Sequence, residues 1–133
     1  PAAGFVTPLA AIAIGAIAGA LCYTAVLLKG RLGYDDSLDT FGVHGVGGTW
    51  GAIATGLFAT TAVNAAGANG LFYGNAALLG KQLIAVAATM AYAAVMSFII
   101  LKVVDAVLGL RVAKEHEEMG LDVSQHGEAA YNL

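Results

Sequence analysis

Residues 5–28 read FVTPLAAIAIGAIAGALCYTAVLL, a run with no Asp, Glu, Lys or Arg. At the helical rise of 1.5 Å per residue it extends about 36 Å, more than the roughly 30 Å of a bilayer's hydrocarbon core. The run predicts a transmembrane helix, with Pro8 in the first turn, where a missing N–H breaks no helical bond. Lys29 and Arg31 then mark the exit from lipid, and Gly30, Gly33, Asp35, Asp36 and Asp39 make a short polar turn. Asp36, followed three residues later by Asp39, has the form of a helix cap that also sets negative charge at the positive end of the next helix. A second span is expected over 37–63, its 41–63 part again free of Lys, Arg, Asp and Glu. Residues 64–80 carry Asn64, Gly67, Asn69, Gly70, Gly74 and Asn75 and read as a loop able to hold a short helical piece. A third span is expected over 82–108, with Lys102 snorkelling and Asp105 at the membrane surface.

Composition agrees with the bilayer as solvent. Of the 133 residues 59% are apolar and 11% charged, against roughly 25% charged in an ordinary soluble domain. Six Lys and Arg against nine Asp and Glu, a net charge of −3, leave no basic stripe able to neutralise phosphates, which argues against a nucleic-acid partner. Cys22 is the single cysteine, so neither an internal disulfide nor a cysteine-based zinc site is expected. The chain opens at Pro1 with no basic n-region before the apolar run, so it is not read as a signal peptide but as the middle of a longer polypeptide.

Two regions follow: a transmembrane segment over 1–108 and a tail over 109–133 that holds Arg111, Lys114, Glu115, Glu117, Glu118, Asp122 and Glu128. Gly120 is placed to end a short helix near 113–119, and Asp122 with Gln125 three residues on has the shape of a cap for another. Lys29, Arg31, Lys102, Arg111 and Lys114 cluster on one side of the three-span topology, and the 64–81 connection carries only Lys81. The positive-inside rule then makes the tail cytoplasmic.

The second span holds Gly42, Gly45, Gly47, Gly48, Gly51 and Gly56, a load that would cost a water-exposed helix roughly 6 kcal/mol relative to alanine. In lipid, small residues let helix backbones approach, and Gly47 with Gly51, like Gly15 with Gly19, has the small-xxx-small spacing. His44 is the ionisable side chain deep in an apolar span, about 12 Å along the axis if the helix starts near Asp36. An imidazole there needs a hydrogen-bonding partner on another helix, and the residues alone leave two readings open, structural hydrogen bonding or contact with a substrate or proton. His116 and His126, near Glu117 and Glu118, have metal-binding residue types but read more simply as a solvated surface, and Trp50 as a lipid or helix contact. No phosphate loop, Ser/His/Asp set or HExxH occurs, so no enzyme, cofactor or metal chemistry is expected.

The run Asp35-Asp36-Ser37-Leu38-Asp39-Thr40-Phe41-Gly42-Val43-His44-Gly45-Val46-Gly47-Gly48 resembles the signature of ammonium transporters of the Amt/Rh superfamily. Gly109-Leu110-Arg111-Val112, Glu118-Met119-Gly120-Leu121-Asp122 and His126-Gly127-Glu128 resemble that family's cytoplasmic tail, and Pro1-Ala2-Ala3-Gly4 the end of a preceding helix. The resemblance implies an all-α integral membrane protein whose three spans are the last three of an eleven-helix bundle. It implies a homotrimer in the cell membrane (inner or plasma), one pore per subunit, with ammonium or ammonia as substrate and the C-terminus cytoplasmic. It also makes His44 the second of the family's pore-lining twin histidines. Arg111, Gly120, Leu121, Asp122, His126 and Gly127 become parts of a regulatory tail that receives PII-type signal proteins, with Arg111 expected to meet an acidic loop group such as Asp35 or Asp36. Thr40 places a hydroxyl where relatives often have a small apolar group.

Two other readings compete. An ammonium sensor or regulatory membrane module would use the tail to signal. A proton-translocating structural subunit needs a mid-membrane carboxylate, which the first two spans lack and which Asp105, near the end of the third, does not supply.

Overall fold

The computed structural model describes residues 1–129, and the elements among them are helical, with no strand. Residues 130–133, the last of the expected tail, lie outside the described residues. The chain divides into two compact units, Pro1–Met90 and Ala91–Leu133.

Helix α1, Pro8–Leu32, begins at Thr7, whose extended backbone turns its Oγ1 to accept the Ala10 N–H at 3.3 Å, and Pro8 occupies the first turn as expected. It runs past the apolar stretch to Gly33, which takes the left-handed conformation (φ 70°) and donates its N–H to the Lys29 carbonyl at 2.9 Å. Lys29 and Arg31 thus sit in the last turn, where exposed carbonyls favour cations.

The second helical stretch departs from its expected bounds of 37–63. Thr40 is its first helical residue, a π-helical turn spans Phe41–Gly45, and α2 follows over Val46–Phe58. The uncharged residues Ala59 to Val63 do not continue it, because their backbone groups are engaged elsewhere. Ala59 is extended and accepts the Gly70 N–H at 2.7 Å, while the Thr60 N–H donates to the Phe5 carbonyl at 2.9 Å. The connection holds the short helical piece foreseen, a 3-10 turn at Leu71–Tyr73. Helix α3 then spans Ala76–Val107, starting six residues ahead of the expected 82. Its entry is fixed by Asn75, read from the sequence as a turn residue, whose Oδ1 accepts the Ala77 N–H at 3.1 Å. The helices Pro8–Leu32 and Ala76–Val107 are each long and apolar enough to cross a membrane, whereas the π turn divides the stretch between them.

Within the first unit the core is built of small residues. Ala2, Ala10, Ala54, Ala59, Thr55 and Thr60 are buried, while Leu9, Ile12 and Leu27 on α1 are exposed. A folded chain that hides alanines and shows leucines has its apolar surface turned to another apolar phase. Helices α1 and α2 run antiparallel, in contact along glycines. A Cβ at Gly42 would stand 3.1 Å from Val26 Cγ2, and one at Gly47 3.0 Å from Cys22 Sγ. Farther along, Gly51 lies against Pro1, and Gly56 against the Leu79 backbone at the start of α3. Of the expected pair, Gly47 meets α1 and Gly51 meets Pro1 ahead of that helix, while Gly15 and Gly19 have no atom within 4 Å of a would-be Cβ.

In the second unit, the end of α3 carries Lys102 with its ammonium 5.8 Å from the centre of the Phe98 ring. Gly109, at φ 79°, turns the chain into the tail. Helix α4, Lys114–Met119, is the short helix expected, and Gly120 (φ 98°) closes it with its N–H on the His116 carbonyl at 3.1 Å. The expected capped helix after it is instead a π-helical turn over Asp122–His126 with no side-chain cap. Gln125 Nε2 lies 3.0 Å from His116 Nδ1, and the Asp122 carbonyl accepts the Glu128 N–H at 2.9 Å.

Candidate functional site

His44 lies inside the π-helical turn, and that turn is assembled from both sides. On its entry side Asp36 uses both carboxylate oxygens: Oδ1 accepts the Thr40 N–H at 2.8 Å and Oδ2 the Phe41 N–H at 2.9 Å. These are donors that a helix start leaves without intrahelical partners, and a negative acceptor is favoured there. Loss of such a cap costs about 0.5–2 kcal/mol. Asp39, expected to share the capping, does not; it stands at φ 55°, and its carboxylate pairs with the Lys29 ammonium. Lys29 Nζ also donates to the Asp36 carbonyl at 2.8 Å, which ties the last turn of α1 to the loop that starts the next helix.

On its packed side the turn meets α1. Gly42 is buried against Val26, and the Cys22 thiol donates to the Val43 carbonyl at 3.5 Å. The Val46 N–H reaches back five residues to the Phe41 carbonyl, the pairing that defines a π turn. The Phe41 ring covers Gly45, where a Cβ would come within 2.9 Å of it, and meets Tyr34 edge-on at 6.0 Å and 87°.

His44 follows Gly42 by two residues, about half a turn of helix, so it faces roughly away from α1. It is exposed, and among the described residues its ring has no hydrogen-bond or ionic partner. It stands four residues beyond the first helical residue, Thr40, and not eight, so the depth counted from Asp36 is replaced by about one turn. Beside the turn lies an apolar groove of about 250 Å³ lined by residues that include Leu21, Phe41, Gly45, Trp50 and Met90. Trp50, read from sequence as a simple contact, is anchored by a polar bond, its Nε1–H donating to the Ile14 carbonyl at 3.0 Å.

The tail residues form their own cluster. Arg111 Nε pairs with Glu117 Oε1 at 3.1 Å, and Ser124 Oγ donates to the Gly120 carbonyl at 2.9 Å. Gly120 and Gly127 (φ 66°) supply the left-handed or positive-φ turns, Leu121 is exposed, and Asp122 and His126 begin and end the second π turn. Among the described residues no group of three His, Cys, Asp or Glu is placed to hold a metal, His116 and His126 included.

The sequence did not show the π turn or the Lys29 bridge. Its available signals were the glycines at 42 and 45 on either side of His44 and the alternation of Lys29 with Asp36 and Asp39 across one turn.

Two long apolar helices and a glycine-packed antiparallel pair define an α-helical membrane protein. Residues 1–131 match the Ammonium Transporter Family, and the chain belongs to that family. It is 59% identical over 132 residues to the ammonium transporter of Bacillus subtilis, covering 98% of this chain and 33% of that protein. It is 50% identical over 131 residues to the ammonium transporter Amt1 of Archaeoglobus fulgidus, covering 98% of this chain and 33% of that protein. The fold is similar to the crystal structure of Saccharomyces cerevisiae Mep2, with a TM-score of 0.81 at 39% identity over 94% of this chain and 30% of Mep2. The chain thus spans about a third of the length of the curated relatives it matches.

Proposed function

We propose that this chain is the C-terminal part of a transporter that carries ammonium across the cell membrane, and that His44 lines its pore. The observation that carries the reading is the placement of His44, held in a π turn by α1 on one side and open, without a partner, on the other. The stretch 40–58 serves as the middle of three spans, and the remaining helices of the same protein cover its open face. Ammonium is a strongly hydrated cation, and a dry apolar passage excludes bare charge at a cost of several kcal/mol or more. Ammonia carries no such penalty. A neutral imidazole, hydrogen-bonded to a second one from a helix outside this chain, offers an acceptor for the proton that ammonium gives up. Potassium has no proton to give and is refused. The family likeness supports a homotrimer with cytoplasmic tails, in which Arg111, Gly120, Leu121, Asp122, His126 and Gly127 shape a surface for a PII-type protein.

The test is His44→Ala in the full-length protein. Uptake of methylammonium is expected to fall to background, or potassium to pass, with the oligomer intact by size-exclusion chromatography. Normal uptake with normal discrimination against potassium would overturn the reading.

A further inference from the structure

Asp36, Lys29 and Asp39 have been described as ends of helices, yet together they control how the His44 turn begins. A π turn carries one residue more than an α turn, so whether residues 41–45 adopt one or the other changes the direction of the side chains they carry. Something must select the wider turn. Gly42, buried against Val26, fixes one side of it. Asp36 fixes its entry by holding the N–H groups of Thr40 and Phe41 together on one carboxylate. Lys29 in turn fixes Asp36, donating to its carbonyl at 2.8 Å while its ammonium pairs with Asp39. Asp39 holds φ 55°, a conformation that a non-glycine residue keeps only where its surroundings impose it.

We propose that Asp36 is a positioning residue for the His44 imidazole, and that the Lys29–Asp39 pair locks it in place, so that a clasp between the end of α1 and the next helix sets the direction of the ring. The consequence for transport rests on the reading of His44 as a pore residue; the consequence for the ring itself does not.

The experiment uses the full-length protein in lipid nanodiscs with ¹⁵N-labelled histidine, the His44 signal being assigned by its loss in His44→Gln. Asp36→Ala is expected to shift the His44 ring resonance and to lower the maximal methylammonium uptake rate about tenfold, with the half-saturating concentration within about twofold of wild type. Asp36→Asn keeps one of the two acceptors and is expected to recover only part of the rate. Asp39→Ala, which removes the ion pair, and Lys29→Met, which removes both that pair and the bond to the Asp36 carbonyl, are each expected to shift the resonance, and the double variant no further than Lys29→Met alone. An unmoved His44 resonance in a folded Asp36→Ala protein overturns the proposal whatever uptake does. Should that variant not fold, the Lys29→Met and Asp39→Ala proteins decide it on the same criterion. A moved resonance with unchanged uptake upholds the clasp and overturns instead the pore role of His44.

Discussion

Helix α1 and the stretch 40–58 lie against each other, and both carry glycines four residues apart, yet they use them in opposite ways. Gly15 and Gly19 on α1 face no atom within 4 Å, whereas Gly42, Gly47, Gly51 and Gly56 each face a neighbour so near that a Cβ would crowd it. The first helix is also regular from Pro8 to Leu32, and the second opens with a π turn. Equal spacing in sequence therefore does not mean equal packing. In this pair the second helix is the one shaped by contact, and α1 is the straight surface it is fitted to.

Three substitutions measure that asymmetry. Gly56→Leu has the largest expected effect, because its Cβ would stand 2.8 Å from the Leu79 Cα, a backbone atom that cannot rotate aside. A loss of about 3 kcal/mol is expected, read as a lower melting temperature and a smaller yield of folded full-length protein in detergent. Trp50→Phe keeps the ring but removes the donor to the Ile14 carbonyl, and is expected to cost about 1 kcal/mol in the same melting assay. Gly15→Ala is expected to change stability by less than about 1 kcal/mol, in the favourable direction, since it meets nothing in this packing and gains helix propensity. A strong loss at Gly15 together with indifference at Gly56 would break the comparison.

How much of this was legible in the sequence differs between those same two regions. The charge-free run and the proline near its start place most of α1, since each signal is local, but the expected end at 28 falls short of Leu32, because Lys29, Gly30 and Arg31, read as exit and turn, are still helical. Residues 59–63 carry no more charge than a helix interior, but Phe5 and Gly70 claim the backbone groups of Thr60 and Ala59, and partners 55 and 11 residues away leave no local mark. Asn75 was misread for a related reason: a turn residue and a helix cap are the same side chain with a different N–H to hold. Gly120 in the tail was readable because a left-handed or positive-φ stop needs glycine, but Asp122 was not, because Gln125 turns to His116 and leaves no capping partner. His44 was found by its charge class in an apolar run. Its π turn was not, because that shape is set jointly by Asp36, Gly42 and Val26, which share no period.

The composition of the 40–58 stretch also bears on how the chain is made. A segment with one histidine, six glycines and Thr40, Thr49 and Thr55 is a weak candidate for insertion by a translocon, which sorts nascent helices by their own apolarity. Its predecessor α1 is long and apolar enough to cross a membrane. As the second arm of a helical hairpin, the weaker segment has Gly42 and Gly47 against α1. Pairing the Lys29 ammonium with the Asp39 carboxylate neutralises two charges at the bend of that hairpin. The 40–58 stretch is therefore expected to enter the membrane better with α1 ahead of it than on its own.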